Sequence, residues 1–183
     1  MTRRIPSRAI FFDRDGIVNK RVMGGYVTSP DEFVLLNEVL PLLNFARSHN
    51  YLSILISNQQ GVGKGLMSDA DLESVTKEMQ YQIHTKFGWA FDDVYYATER
   101  SGEEPQRRKP SPAMLFEAAT EWYIDLSASW MIGDTITDAE AGRAAGCRTI
   151  LINHEADTPS TDAADYIVPD HDAALAILRE FGG

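Results

Sequence analysis

Three scarcities bound what this chain can be. It has one cysteine, Cys147, so it can form neither an internal disulfide nor a multi-cysteine zinc site, and thiol catalysis is not expected. Basic residues are few: 17 Lys and Arg against 27 Asp and Glu leave a formal charge of -10. That balance argues against a nucleic-acid or membrane-surface binder, although a local basic cluster can still hold a small anion. Long apolar runs are missing as well. The start, MTRRIPSR, is basic like a signal n-region, but the apolar run after it, Ala9–Phe12, stops at Asp13, and no stretch is long enough to span a bilayer. The expectation is a soluble, cytoplasmic monomer whose partner is a small molecule. What the chain does have is apolar material, 44% of 183 residues, enough for one buried core and a single domain over residues 1–183.

Short apolar runs alternate with helix-period segments along nearly the whole chain. This pattern predicts an α/β fold: a three-layer, Rossmann-like parallel sheet with helices on both faces. The predicted strands are Ala9–Phe12, Leu52–Ile56, Asp93–Tyr96, Ser129–Ile132, Thr149–Ile152 and Tyr166–Val168. Ser68 with Asp71 reads as a helix entrance, followed by Leu72, Val75, Met79, Ile83 and Phe87 at helical spacing. Ser111 and Pro112 open another helix, with Met114, Leu115, Ala118 and Trp122 on its inner side. A third runs from Asp134 through Ala145 to a stop at Gly146, and the last from Asp170 to Phe181. The segments between motifs are too short for a large cap domain.

Ligands of an open parallel sheet collect at the carboxyl ends of its strands. Reading those ends in turn gives Asp13 and Asp15, then Ser57, Asn58 and Gln59, then Asp134 and Asp138, with Lys109 of RRKP at a helix entrance. Several carboxylates on one rim repel unless a cation lies among them, and a hard divalent ion such as Mg2+ takes oxygen ligands of this kind. The expected shell is Asp13 and Asp134 through their carboxylates and Asp15 through its carbonyl. Asp138, a turn further on, is read as an outer ligand, with an exposed helical acid as the plain alternative. A carboxylate nucleophile suits a phosphate bound there, and Asp13 is placed to be it. Asp15 is read as the acid/base, and Lys109 as the cation that meets the growing phosphoryl charge. Ser57, Asn58, Gln59, Lys64 and Arg108 are expected to bind substrate, whereas Arg107 can be a solvated charge. Gly61, Gly63 and Gly65 are read as a loop. His49, His84, His154 and His171 are scattered, and none is assigned to metal.

DRDG (Asp13–Gly16), SNQ (Ser57–Gln59), RKP (Arg108–Pro110) and GDTITD (Gly133–Asp138) together resemble, in order, the four motifs of the haloacid dehalogenase-like phosphohydrolases. The wording of GGYV (Gly24–Val27), SNQQGVGKG (Ser57–Gly65) and RRKPSPAML (Arg107–Leu115) is similar to the capless branch of heptose bisphosphate and histidinol-phosphate phosphatases. The resemblance implies Asp13 as nucleophile, Asp15 as acid/base and a magnesium requirement. It also marks a departure: many members carry Cys and His zinc ligands before RKP, and Ala97–Arg107 here has neither. A basic residue of the branch is replaced by Thr135, and an arginine by Lys64, which lacks the bidentate fork.

The function expected is therefore magnesium-dependent hydrolysis of a small phosphorylated metabolite through an aspartyl-phosphate, most plausibly a sugar bisphosphate such as D-glycero-D-manno-heptose 1,7-bisphosphate. Histidinol-phosphate hydrolysis is the alternative within the class. A non-enzymatic phospho-acceptor module is the alternative outside it, and Asp15 argues against that reading, because a module that stores a phosphoryl group gains nothing from an acid/base.

Overall fold

The predicted alternation becomes one parallel sheet in a computed structural model of the chain, which describes residues 5–100, 102, 106–153 and 161–182. The first four residues of the basic start, His154 and positions 101 and 103–105 of the loop before RKP lie outside the described residues. Strands β1 (Arg8–Phe12), β2 (Tyr51–Asn58), β3 (Asp93–Ala97), β4 (Trp130–Gly133), β5 (Arg148–Ile152) and β6 (Tyr166–Val168) pair in the order β3-β2-β1-β4-β5-β6. Every pairing is parallel. All six correspond to the apolar runs read from the sequence. β2 is longer than expected, so Ser57 and Asn58 are its last two residues rather than the start of a loop.

The helices are α1 (Leu40–Ser48), a single turn α2 (Gln60–Gly63), α3 (Asp69–Phe87), α4 (Ala113–Trp122), α5 (Ile136–Ala145) and α6 (His171–Phe181). Alternation along β1 sends Ile10 and Phe12 to one face of the sheet and Ala9 and Phe11 to the other. Leu42 and Leu43 of α1, Val75 and Met79 of α3, and Leu175 and Leu178 of α6 complete the core on the first face. Met114 and Leu115 of α4 and Ala141 and Ala145 of α5 complete the second. The result is the three-layer arrangement, and among the described residues no insertion builds a large cap over the sheet. No helix among these residues is long and apolar enough to cross a membrane.

Local chemistry sets most of the helix ends. Ser68 and Asp71 form a reciprocal capping box at the start of α3, and the Asp170 side chain accepts from the Ala173 amide at the start of α6. Gly146, at φ 87°, ends α5 in the left-handed conformation that glycine adopts without a steric penalty. α1 went undelimited in the sequence because its N-cap, Val39, has no side chain that can signal an entrance. Trp122, expected on the inner side of α4, is only half-buried, and its indole N–H donates to Asp93 Oδ2 at 2.8 Å. The glycine stretch read as a loop holds the turn α2, where Gly63 N donates to the Thr98 carbonyl at 3.0 Å.

The chain leaves β1 toward β2 and β3 and then returns to lay β4 on the other side of β1. The strand order therefore reverses between β1 and β4, which opens a crevice at their carboxyl ends. Asp13 and Asp134 are the first residues past those two strands.

Two predictions follow from the packing. Phe12 is fully buried in the first-face core and meets Phe91 edge-to-face with ring centroids 5.7 Å apart. Phe12→Ala is expected to cost about 3–5 kcal/mol in urea denaturation; a loss below ~1 kcal/mol would show that this face does not carry the fold. Burial pushes the Cys147 thiol up to about 12. Above its ordinary value the group stays a thiol at pH 8, so a chromogenic disulfide reagent should react with the folded protein only as fast as it unfolds.

Candidate active site

The crevice contains a cavity of about 550 Å³ whose lining includes Asp13, Asp15, Ser57, Asn58, Arg108 and Lys109. Lys109 lies at its base. The side chain is 2% exposed, and Nζ reaches Asp13 Oδ1 at 2.7 Å, the Ile56 carbonyl at 2.8 Å and Asp138 Oδ1 at 2.5 Å. Burial alone would lower its pKa, but the charges of Asp13 and Asp138 raise it above the ordinary lysine range. The ammonium is thus held charged while bridging β1, β2 and α5. Asn58 fixes the backbone that delivers it: its Oδ1 accepts from Lys109 N at 2.9 Å and its Nδ2 donates to Lys109 O at 3.1 Å. This reciprocal pair was not legible in the sequence, where Asn58 was read only for its own amide and as a contact to substrate.

Asp15 sits in a nest of donors. Arg14 Nη2 donates to both of its oxygens at 3.1 and 3.0 Å, Asn19 Nδ2 to Oδ1 at 3.0 Å, and Gln59 Nε2 to Oδ2 at 2.7 Å. Burial opposes the charge, but the Arg14 guanidinium and the Asn19 and Gln59 donors outweigh it and hold the carboxyl below its usual range. The resting arrangement therefore favours the ionised carboxylate. The turn that places Asp15 needs Gly16. Its φ is +102°, and a Cβ there would collide with the Asp134 carboxylate.

Gln59 departs from its expected place. It is fully buried, does not line the cavity, and spends its amide on Asp15 and on Ser57 Oγ, the latter at 2.9 Å, while its Oε1 accepts from Arg14 Nη2 at 3.1 Å. Its amide is spent on two residues of the crevice, and it is absent from the cavity lining. Arg14, to which the sequence assigned no role, is likewise fully buried, with Nη2 3.0 Å from Asp15 Oδ2. Arg107 is no solvated charge: its guanidinium forks onto Glu117 at 2.8 and 2.7 Å and donates to the Tyr96 carbonyl at 2.8 Å. Lys64 and Arg108 do line the cavity, and Lys64 Nζ donates to Tyr26 OH at 3.0 Å.

Asp13, Asp134 and Asp138 bring carboxylate oxygens within 4.8 Å of one another. Burial first, then the neighbouring acids, push Asp13 up to about 6 despite the relief from Lys109. Burial and Asp13 push Asp134 up to about 8 despite Arg21. Asp138 is not the exposed helical acid of the plain alternative, since it is 1% exposed. Its Oδ2 closes a capping box with Thr135, accepting from the hydroxyl at 2.6 Å, and its Oδ1 faces Lys109. Both oxygens are engaged by protein. Arg21 is the residue the sequence did not single out: its Nη2 donates to Asp134 Oδ1 at 2.7 Å and to the Asp15 carbonyl at 2.9 Å. The three described histidines, His49, His84 and His171, stay outside the cluster; His171, for one, is buried with Nε2 2.9 Å from the Ile17 carbonyl.

A parallel sheet with an acidic crevice at its switch point, DRDG after the first strand and a buried lysine opposite, defines the haloacid dehalogenase-like hydrolases, and the chain belongs to them. The HAD-hydrolase-like family model matches residues 106–175. More narrowly, the chain belongs to the D-glycero-D-manno-heptose-1,7-bisphosphate 7-phosphatase family. A Helicobacter pylori protein of that name with the β anomer specified is 34% identical over 155 residues, 84% of this chain and 88% of that protein. A Chlorobaculum tepidum member is 32% identical over 177 residues, 90% of this chain and 88% of that one. The fold agrees: a crystal structure of the D,D-heptose 1,7-bisphosphate phosphatase of B. bronchiseptica, complexed with magnesium and phosphate, superposes with a TM-score of 0.83 at 25% identity, covering 94% of this chain and 98% of that one. The chain is a phosphoric monoester hydrolase by family.

The donor network around Asp15 yields a prediction. Gln59→Leu strips a half-buried carboxylate and a buried guanidinium of partners, and about 1–3 kcal/mol of stability should be lost in urea denaturation. A kcat reduced roughly ten- to a hundredfold with KM nearly unchanged is expected for a positioning residue. A raised KM at constant kcat would return Gln59 to the substrate-binding set.

Proposed function

We propose that this chain removes one phosphate from a heptose 1,7-bisphosphate, by way of an aspartyl-phosphate on Asp13, in a reaction that requires magnesium. The observation that carries the reading is the convergence of Asp13, Asp134 and Lys109 at the switch point, beside a cavity whose lining also includes Lys64 and Arg108. Asp13 and Lys109 suit a phosphate in reaction, and Lys64 and Arg108 a second anion on the same small molecule. The names of the relatives supply the sugar.

The donor set fits magnesium. Its atoms are hard oxygens, and carboxylate oxygens of Asp13 and Asp134 lie within 4.8 Å of each other, near enough for one ion to draw them together. Raised carboxyl pKa values are also what a divalent cation reverses. Asp13, Asp134 and the Asp15 carbonyl would hold the ion, with Asp138 acting from behind through Lys109. Magnesium bound there supplies charge neutralisation for the phosphoryl oxygens.

The remaining steps belong to the side chains. The Asp13 carboxylate attacks phosphorus, the bond from phosphorus to the sugar oxygen breaks, and that oxygen receives a proton from Asp15. Asp15 must first be protonated, and the negative charge of an approaching phosphate raises its affinity for that proton. Once the sugar leaves, Asp15 is again the base its donors favour. It takes a proton from water, whose oxygen attacks phosphorus and frees Asp13 and inorganic phosphate. Lys109 holds Asp13 in line throughout, and Ser57 at the cavity wall faces the phosphoryl oxygens.

Phosphate release from D-glycero-D-manno-heptose 1,7-bisphosphate should be lost on chelation of magnesium and restored by adding it back. Asp13→Asn should slow turnover by roughly a thousandfold or more. Activity preserved in Asp13→Asn would overturn the assignment of the nucleophile, and a clear preference for histidinol phosphate over the heptose would overturn the substrate.

A further inference from the structure

From the contacts of Arg21 we infer that this residue is a resident counter-ion of the acidic crevice, which competes with the divalent cation for the Asp15 carbonyl and Asp134 and is displaced when the cation binds. The inference rests on the magnesium reading above and adds a residue to it. Arg21 Nε and Nη2 donate to the Asp15 carbonyl at 3.2 and 2.9 Å, and the same Nη2 donates to Asp134 Oδ1 at 2.7 Å. These are two of the three protein groups proposed as cation ligands. A carbonyl oxygen has a second lone pair, so sharing that atom alone would not force a choice. Sharing Asp134 as well does, because the guanidinium carbon and a dication bound to the same two groups would lie only a few ångströms apart, where like charges repel strongly even at high effective dielectric.

Displacement is cheap on this geometry. The Arg21 side chain is 40% exposed and lies on the loop between β1 and α1, so it is not locked by packing. It also borders open space on two sides. Arg21 lines both the 550 Å³ cavity and a second one of about 700 Å³, and its partner Asp134 lines the second together with Gly16. Swung into the first cavity, the guanidinium joins Lys64 and Arg108, where an anionic substrate brings its charge.

The test is direct cation binding without substrate, measured by electron paramagnetic resonance with Mn2+ on wild type, Arg21→Met and Lys20→Met. Lys20 is an exposed neighbour that also lines the second cavity, and its substitution removes one positive charge without touching Asp134. Arg21→Met is expected to bind Mn2+ on the order of three- to tenfold more tightly than wild type, the size of a partly exposed charge-assisted contact, and Lys20→Met to match wild type. Equal affinity in all three, weaker binding in Arg21→Met, or the same gain in both variants would overturn the inference while leaving the magnesium reading in place. Mn2+ binding to none of the three would overturn both.

Discussion

The Lys109 ammonium sits where water cannot solvate it, and the architecture around it can be read as the set of groups that make this tolerable. Asp13 closes β1, the Ile56 carbonyl belongs to β2, and Asp138 opens α5. A buried charge with one partner removed is strongly destabilising, so these three elements are tied by a contact none of them can relinquish alone. The same contact does chemical service. It keeps a carboxylate pointed into the crevice, and it is why a lysine near a helix entrance can act on an acid at the end of a strand far away in sequence.

Charge accounting around that contact shows why the crevice suits its ligands. Asp13, Asp15, Asp134 and Asp138 face Lys109, Arg14 and Arg21, which leaves one net negative charge when all are ionised. On the reading proposed above, a dication that takes the place of Arg21 offsets the two negative charges that Lys109 and Arg14 leave uncompensated. The acids divide by surroundings as well. Asp15, ringed by donors, is held easily as an anion, whereas Asp13 and Asp134, crowded by burial and by each other, are not. Two aspartates separated by one residue thereby acquire different chemistry, with no difference in residue type to announce it.

Much of the fold was readable before any coordinates. Strand runs, the Ser68 box, the Gly146 stop and the order of the four motifs depend on neighbours within a few residues, and those signals survive in a linear text. What was not readable depends on distant neighbours. Gln59 was read as a substrate contact because an amide after a strand can face either way, and its bond to the buried Arg14 depends on a residue 45 positions away. Asn58 as a clamp on Lys109 needs residues 51 apart to meet. Arg21 escaped notice because its loop carries no periodicity, and a lone arginine in such a loop gives no sign of the acid it will find. Asp138 was read with an exposed alternative because the sequence shows a helix's first turn but not the lysine pressed against it.

Asp138 also joins two kinds of stability in one carboxylate. One oxygen caps α5 through Thr135, and the other faces the ammonium at the base of the crevice. Asparagine at this position would keep a cap and discard the counter-charge, while glutamate would keep the charge and displace the cap. The first turn of that helix is thus under two separate demands, and one aspartate meets both.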